Sequence, residues 1–276
     1  MKNITKIITA TILCASLFAS TQRIAALGGN AAFWPGDEAN IAAFPAQINN
    51  HGHAQFTGVG GDDVGVGLVF NNNGTAWSLG FAEGDRDTWF NLGWGKNGMG
   101  INVKMNSAEY DDDNSDATDM AQSSGFVLSY GNSFDWGELG VEYTSGTNTN
   151  NAGTETDWAT ADLHNGIEVN YRKACGFWVF TDMVAHLDMP DDGAMGLSAD
   201  WFTHWDASGA DVMFAMGMDY DDSDDGGANG HIWQTAAVGV EANLTDWATF
   251  RAGYNWQYQL SGDDDETGGE GGNNWA

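Results

Sequence analysis

From about residue 52 the chain alternates large apolar side chains with small or polar ones, in stretches separated by clusters of Gly, Asn and Asp. A period of two is the mark of a β-strand with two unlike faces. In 75-82, Trp77, Leu79 and Phe81 share one face while Ala76, Ser78 and Gly80 share the other. Met99, Ile101, Val103 and Met105 alternate with Gly100, Asn102 and Lys104, and Phe126, Leu128 and Tyr130 with Val127 and Ser129. Later stretches repeat the rule: Val212, Phe214, Met216 and Met218 oppose Met213, Ala215, Gly217 and Asp219. The longest sets Ala248, Phe250, Ala252, Tyr254, Trp256 and Tyr258 against Thr249, Arg251, Gly253, Asn255 and Gln257. Followed through the chain, the alternation predicts about thirteen strands, at 52-58, 64-71, 75-82, 88-95, 98-105, 124-131, 137-145, 165-172, 177-187, 194-202, 211-219, 232-242 and 247-259.

The polar face decides what such a sheet is for. It carries Lys104, Glu142, Glu168, Arg172, Asp182, Asp200, Glu241 and Arg251 among Gly, Asn and Ser, while the apolar face is large side chains over the full strand length. A strand crossing a bilayer needs roughly 9–11 residues, apolar toward lipid and polar toward the lumen. Ordinary globular strands average about five to six. The connections agree. Long polar ones (106-123, 145-164, 220-231, 261-274) alternate with tight ones (71-74, 96-98, 173-176, 243-246), as the outer loops and inner turns of outer-membrane barrels do. The expected fold class is therefore all-β, an antiparallel transmembrane β-barrel whose eight charged residues above line the lumen. Single-chain bacterial barrels have even strand numbers. The expectation is about fourteen strands, the last beginning at Asn273-Asn274-Trp275 and not completed before Ala276.

The start of the chain differs in kind. Lys2 and Lys6 precede the apolar run Ile7 to Phe18 and the small residues Ala19 and Ser20, which reads as a secretory signal over 1-22. The run is too short for a spanning helix. Cys14 leaves with the signal, so Cys175 stands alone and a disulfide framework is excluded. Composition adds 39 Asp+Glu against 9 Lys+Arg, a net charge of -30, with 42% hydrophobic residues. That is enough apolar material to fold. It is also a field that repels phosphate backbones, so no nucleic-acid partner is expected.

Between signal and first strand lie Arg23-Ile-Ala-Ala-Leu27-Gly28-Gly29-Asn30, then Asp37-Glu38-Ala39-Asn40-Ile41 and Phe44-Pro45-Ala46-Gln47-Ile48. This resembles the opening of the FadL-like fatty-acid transporters and their relatives, including the barrel of the type IX secretion shuttle. Phe44 stands where that family has Asn. The resemblance implies a fourteen-stranded barrel and an N-terminal segment, 23-50, that plugs the lumen and gates passage of hydrophobic substrates. It implies a place inside the barrel for Gly28, Gly29, Asp37, Glu38, Phe44, Pro45 and Ala46. The barrel proper is 51-276.

Candidate chemistry is sparse. The acidic loops hold Asp111-Asp112-Asp113 with Asp116 and Asp119, Asp191-Asp192, Asp221 to Gly226, and Asp263-Asp264-Asp265-Glu266. Asp221, Ser223, Asp225 and Gly226 match half of a calcium loop, but Ile232 sits where the bidentate Glu belongs. Solvated loops are the main reading, with weak, diffuse divalent cation binding as the lesser one. His51, His53, His164, His186, His204 and His231 lack zinc-site companions, so no metal site is expected. The inward carboxylates spread over many strands and read as lumen charges that pair or line a water path, so no catalytic residues, enzyme activity or cofactor are expected. Trp89, Trp94, Trp201, Trp205, Trp247 and Trp256 fall near strand ends, as an interfacial girdle would. Trp178, Phe180, Phe202 and Trp233 point to the expected lumen, to line a greasy path or to pack on the plug.

The function expected is an outer-membrane channel or transporter for passive uptake of small solutes, including the hydrophobic ones the resemblance implies. Its partners would be outer-membrane lipid and the solute, in a Gram-negative-type bacterium. The alternative is a non-conducting structural, adhesive or secretion-partner barrel. A soluble secreted β-protein is the remaining rival.

Overall fold

The computed structural model describes residues 19–57, 64–83, 89–109, 120–150, 152–157, 164–191, 193, 195–222, 230–245, 248–261 and 273–275. Most of the expected signal lies outside them, as do Trp247 and the acidic clusters 111-119, 223-225 and 263-266. A short helix, α1 (Ala19–Ala26), opens the described chain and runs across the expected signal boundary. It is followed by a 3-10 turn (Ala31–Phe33), one turn of helix, α2 (Asn40–Ala43), and a second 3-10 segment (Pro45–Asn50).

Everything after that is strand. The elements are β1 (His53–Thr57), β2 (Val64–Asn72), β3 (Thr75–Glu83), β4 (Trp89–Lys96), β5 (Met99–Glu109), β6 (Met120–Phe134), β7 (Gly137–Asn150) and β8 (Glu155–Asp157). They continue as β9 (Gly166–Phe177), β10 (Phe180–Pro190), β11 (Gly196–Ala207), β12 (Ala210–Asp221), β13 (His231–Thr245), β14 (Ala248–Ser261) and β15 (Asn273–Trp275). Each of the thirteen strands expected from alternation is present, and the short β15 pairs antiparallel with β14 through Asn273, Asn274 and Trp275. The hydrogen-bonded path follows chain order with fourteen strands on it. The path is open: among the described residues no ladder closes it into a ring. The short β8 stands off it, pairing only with β7 to form a hairpin inside the expected 145-164 loop.

The chain falls into two compact units. The first is built mainly from Phe44–Ser133 and Gly140–Ile167, the second from Thr21–Ala43, Phe134–Leu139 and Glu168–Ala276. In the first, Asn73-Gly74 and Asn97-Gly98 take positive φ at both central positions (53° and 74°, 52° and 76°), the type I′ geometry that matches strand twist in a two-residue hairpin. In the second, Ser208-Gly209 turns the same way. The tight turn expected at 173-176 lies instead at Trp178-Val179. Ala174, Cys175 and Gly176 all tolerate extended backbone and continue β9, and Trp178, at φ 54°, takes the left-handed position.

Burial in both units inverts the soluble pattern. In the first, Val66, Leu68, Trp77, Leu79, Phe81, Phe90, Leu92 and Ile101 are all exposed, although they are the large apolar residues. Their small and polar neighbours Ala76, Ser78, Ser129 and Asn106 are buried. Leu79 is 43% exposed and the adjacent Ser78 is 6% exposed. In the second unit Leu197, Trp205, Met218, Val238 and Phe250 are exposed while Asp200, Arg172 and Thr203 are buried. What buries the polar face is the N-terminal segment: Leu27, Phe33, Trp34, Asn40, Phe44, Ala46 and Ile48 are among the least exposed residues of the chain.

Candidate functional site

The candidate site is the polar face of each unit with the piece of N-terminal segment seated on it. In the first unit that piece is Phe44 and Pro45–Asn50, and missing side chains make its bed. Cβ atoms at Gly100 and at Gly131, a cross-strand pair, would collide with the Pro45 and Ala46 backbone. At Gly95 one would meet Ile48 and Asn49. Glycine inside a strand often marks such a close backbone approach. Asn49 Nδ2 then donates to its own Ala46 O and to Met99 O, both at 2.8 Å, tying segment to strand. Phe44 is fully buried and serves as an apolar anchor of the segment. Among the remaining inward residues, Ser129 Oγ donates to Glu142 Oε2 at 2.6 Å. Lys104 stands opposite Asn91 on the neighbouring strand. The Oδ1 atoms of Asn91 and Asn102 are buried without a donor among the described residues.

In the second unit the seated piece is Thr21–Ala43. Gly253 admits the Leu27–Gly28 peptide and Gly239 the Trp34 ring. Asn255 Nδ2 donates to Gly28 O, and Gly28 itself is at φ 105°, where a side chain would be strained. Gly29 has open space beside it. Phe33 packs on Phe202, ring centroids 5.5 Å apart, and its carbonyl accepts from His204 Nε2 at 2.7 Å.

Two ion clusters hold this piece. Arg23 donates through Nε to Glu241 at 2.8 Å and through Nη1 to Asp37 at 2.5 Å, with its guanidinium over the Trp34 ring. Arg251 Nε also reaches Glu241, at 2.6 Å. Burial works against the Arg23 charge, but its bonds to Glu241 and Asp37 outweigh it and hold the group above its ordinary pKa. The second cluster is centred on Arg172, which is 5% exposed. It donates to Glu138 Oε2 at 2.6 Å, Asn40 Oδ1 at 2.8 Å and Ala32 O at 3.0 Å. Fully buried Asn40 also donates to Trp34 O at 2.8 Å and Asp37 O at 3.0 Å.

Of the charged residues expected on the inward face, Glu241 and Arg251 are brought together, and Arg172 pairs with Glu138, which was not in that set. Asp200 accepts from Thr235 Oγ1 at 2.7 Å and Asp182 from Thr181 Oγ1 at 2.7 Å. Glu168 and Glu38 are half-buried. Of the expected inward aromatics, Phe202 packs on the segment as anticipated. One other is corrected: Trp178 is 83% exposed in its turn. Phe180 is buried and stacks at 5.9 Å on Phe214. Arg23, Asn40, Glu138 and His204 were not anticipated as site residues. Strand parity carried a signal for Glu138, four residues before Glu142 and on the same face. Asn40 carried none, since its role depends on the fold of the segment.

Comparison of the chain with known protein families, with curated proteins and with solved structures finds no match.

Proposed function

We propose that this protein is an outer-membrane β-barrel of a Gram-negative-type bacterium, its fourteen-strand path closed in the membrane, that passes small solutes by equilibrium past an N-terminal plug. One observation carries the reading, the inverted burial. Soluble monomers rarely expose contiguous apolar patches beyond a few hundred Å². Here both units expose long rows of Leu, Phe, Ile, Met and Val on one face and bury Ser, Asn, Asp and Arg on the other. Lipid is the solvent that makes this arrangement stable. No described helix is long and apolar enough to cross a membrane, which says nothing about strands. Strands of eight to fifteen residues in the continuous path, β1 and β15 aside, suit the hydrocarbon thickness.

The resemblance of Arg23 to Ile48 to the FadL-like opening supports the plug reading, as does the seating of that segment on glycines of the polar face. The depth of the seating favours a second reading, a barrel that does not conduct and serves a structural, adhesive or secretion role. Planar-bilayer recording and liposome swelling separate the two. Discrete conductance and solute entry are expected; a barrel that inserts into bilayers with neither supports the second reading. Recovery of monodisperse protein without detergent would end both.

A further inference from the structure

The second unit contains a cavity of about 260 Å³ between the N-terminal segment and strands β11 to β14. Its walls include Asp200, Asp219, Thr235, Asn255, Gln257 and the Phe33 ring. Register explains the grouping: Asp200, Gly217, Thr235 and Gln257 stand in one row across four strands, and Asp219 lies in the next row of the same face. Gly217 is there for the carboxylate. A Cβ at that position would collide with the Asp200 carboxyl group, so the sheet leaves out a side chain to hold an acid flat against it.

The charges in this cavity do not balance. Asp200 is 9% exposed and takes one hydrogen bond, from Thr235. Neither Asp200 nor Asp219 is bonded by a Lys or Arg among the described residues. The Asp219 charge reaches Asp200, and Asp219 in turn feels Asp221. The basic group whose field reaches Asp219 is His186, and its Nδ1 is paired with Asn170 Oδ1 at 3.0 Å. Two acids that repel one another in a partly enclosed site attract a cation more strongly than they would in water. A lone metal ion is a poor fit. Calcium wants about six to eight oxygens at 2.3–2.6 Å, and among the described residues no third acid or histidine converges with these two. The cavity is instead a little below the ~300–1,000 Å³ of pockets for drug-sized ligands, and Phe33 gives it an aromatic wall that suits an organic cation.

We propose that this cavity is a binding subsite for a small solute carrying a protonated amine, the carboxylates of Asp200 and Asp219 taking the ammonium group. This deepens the transport reading and rests on it for its biological purpose, but binding can be measured without flux. The probes are benzylammonium, benzyl alcohol and benzoate, similar in size and different in charge, titrated calorimetrically into the full-length protein in detergent. Benzylammonium is expected to bind at least tenfold more tightly than benzyl alcohol, with no benzoate binding. The double variant Asp200→Asn/Asp219→Asn, which keeps the shape and the Thr235 bond, is expected to lose that preference while its circular dichroism and melting stay unchanged. Equal binding of the alcohol, binding of benzoate, or an unaltered preference in the double variant overturns the proposal. So does calcium binding at micromolar concentration that displaces the amine, which would make the site a metal site. Absence of conductance with amine preference intact sinks only the channel reading; conductance without amine preference sinks only this one.

Discussion

The paired glycines under the N-terminal segment give the sharpest test of how that segment is held. Gly100 and Gly131 face each other across β5 and β6, and a Cβ on either would strike the Pro45–Ala46 backbone, which has no rotamer by which to escape. Overpacking of this kind costs about 1–3 kcal/mol. Against it stands the burial of Phe44 and Ile48, worth about 1.5–3 kcal/mol each. The segment of a Gly100→Ala protein should therefore stay seated but open more often, by roughly 5- to 140-fold. The double change Gly100→Ala/Gly131→Ala should add less than twice that free energy, because a segment displaced by one methyl has already made room for the other. The assay is maleimide labelling of Ile48→Cys, at a position 2% exposed, in a background in which Cys175→Ala removes the native thiol. Gly67→Ala is the control, since its Cβ would meet only Gln55 at an ordinary 3.9 Å. Equal labelling rates for Gly100→Ala and Gly67→Ala would refute the idea that glycine is there to admit the segment.

Two further outcomes follow from the same geometry. Leu79→Arg, on the exposed apolar face, should cost about 2–4 kcal/mol of insertion if that face meets lipid near the bilayer midplane; refolding yield into vesicles measures it, and a variant that inserts as well as the parent contradicts a lipid-facing Leu79. Arg172→Met removes the guanidinium 2.6 Å from the Glu138 carboxylate, and breaking a buried pair costs about 3–5 kcal/mol. Adding Glu138→Gln should restore part of the loss in a detergent melting series, whereas simple additivity of the two changes would show that the 2.6 Å pair is not coupled.

The strands were legible in the sequence because one rule, alternation, was sufficient to place them: Trp77, Leu79 and Phe81 sit on the exposed face and Ser78 on the buried one, as read. Strand ends were less so. β6, β7 and β11 run on to Phe134, Asn150 and Ala207, where polar residues continue a ladder that hydropathy cannot follow. Trp178 was misplaced for a related reason, since Lys173 to Gly176 has the composition of a turn while the left-handed residue lies beyond it. Of the site, Glu241 with Arg251 could be anticipated from strand parity as inward charges. The partners Arg23, Asp37 and Asn40 depend on a segment without periodicity, whose path is set by tertiary contacts rather than by any local pattern. The cavity at Asp200 and Asp219 was hidden because its defining feature, the absent side chain of Gly217, looks in sequence like any other strand glycine.

The seating of the N-terminal segment also fixes an order of events. Arg23 and Glu241 are 218 positions apart and Gly28 and Asn255 are 227 apart, so the contacts that hold the segment join opposite ends of the sequence. Closing loops of that length is slow and cannot be rewarded before the distant strands exist. Until β13 and β14 have formed, Leu27 lacks the gap at Gly253 and Trp34 the gap at Gly239 in which they seat. Leu27 and Trp34 are thus synthesised well before the strands that receive them, and that part of the segment takes its final place only once β13 and β14 exist.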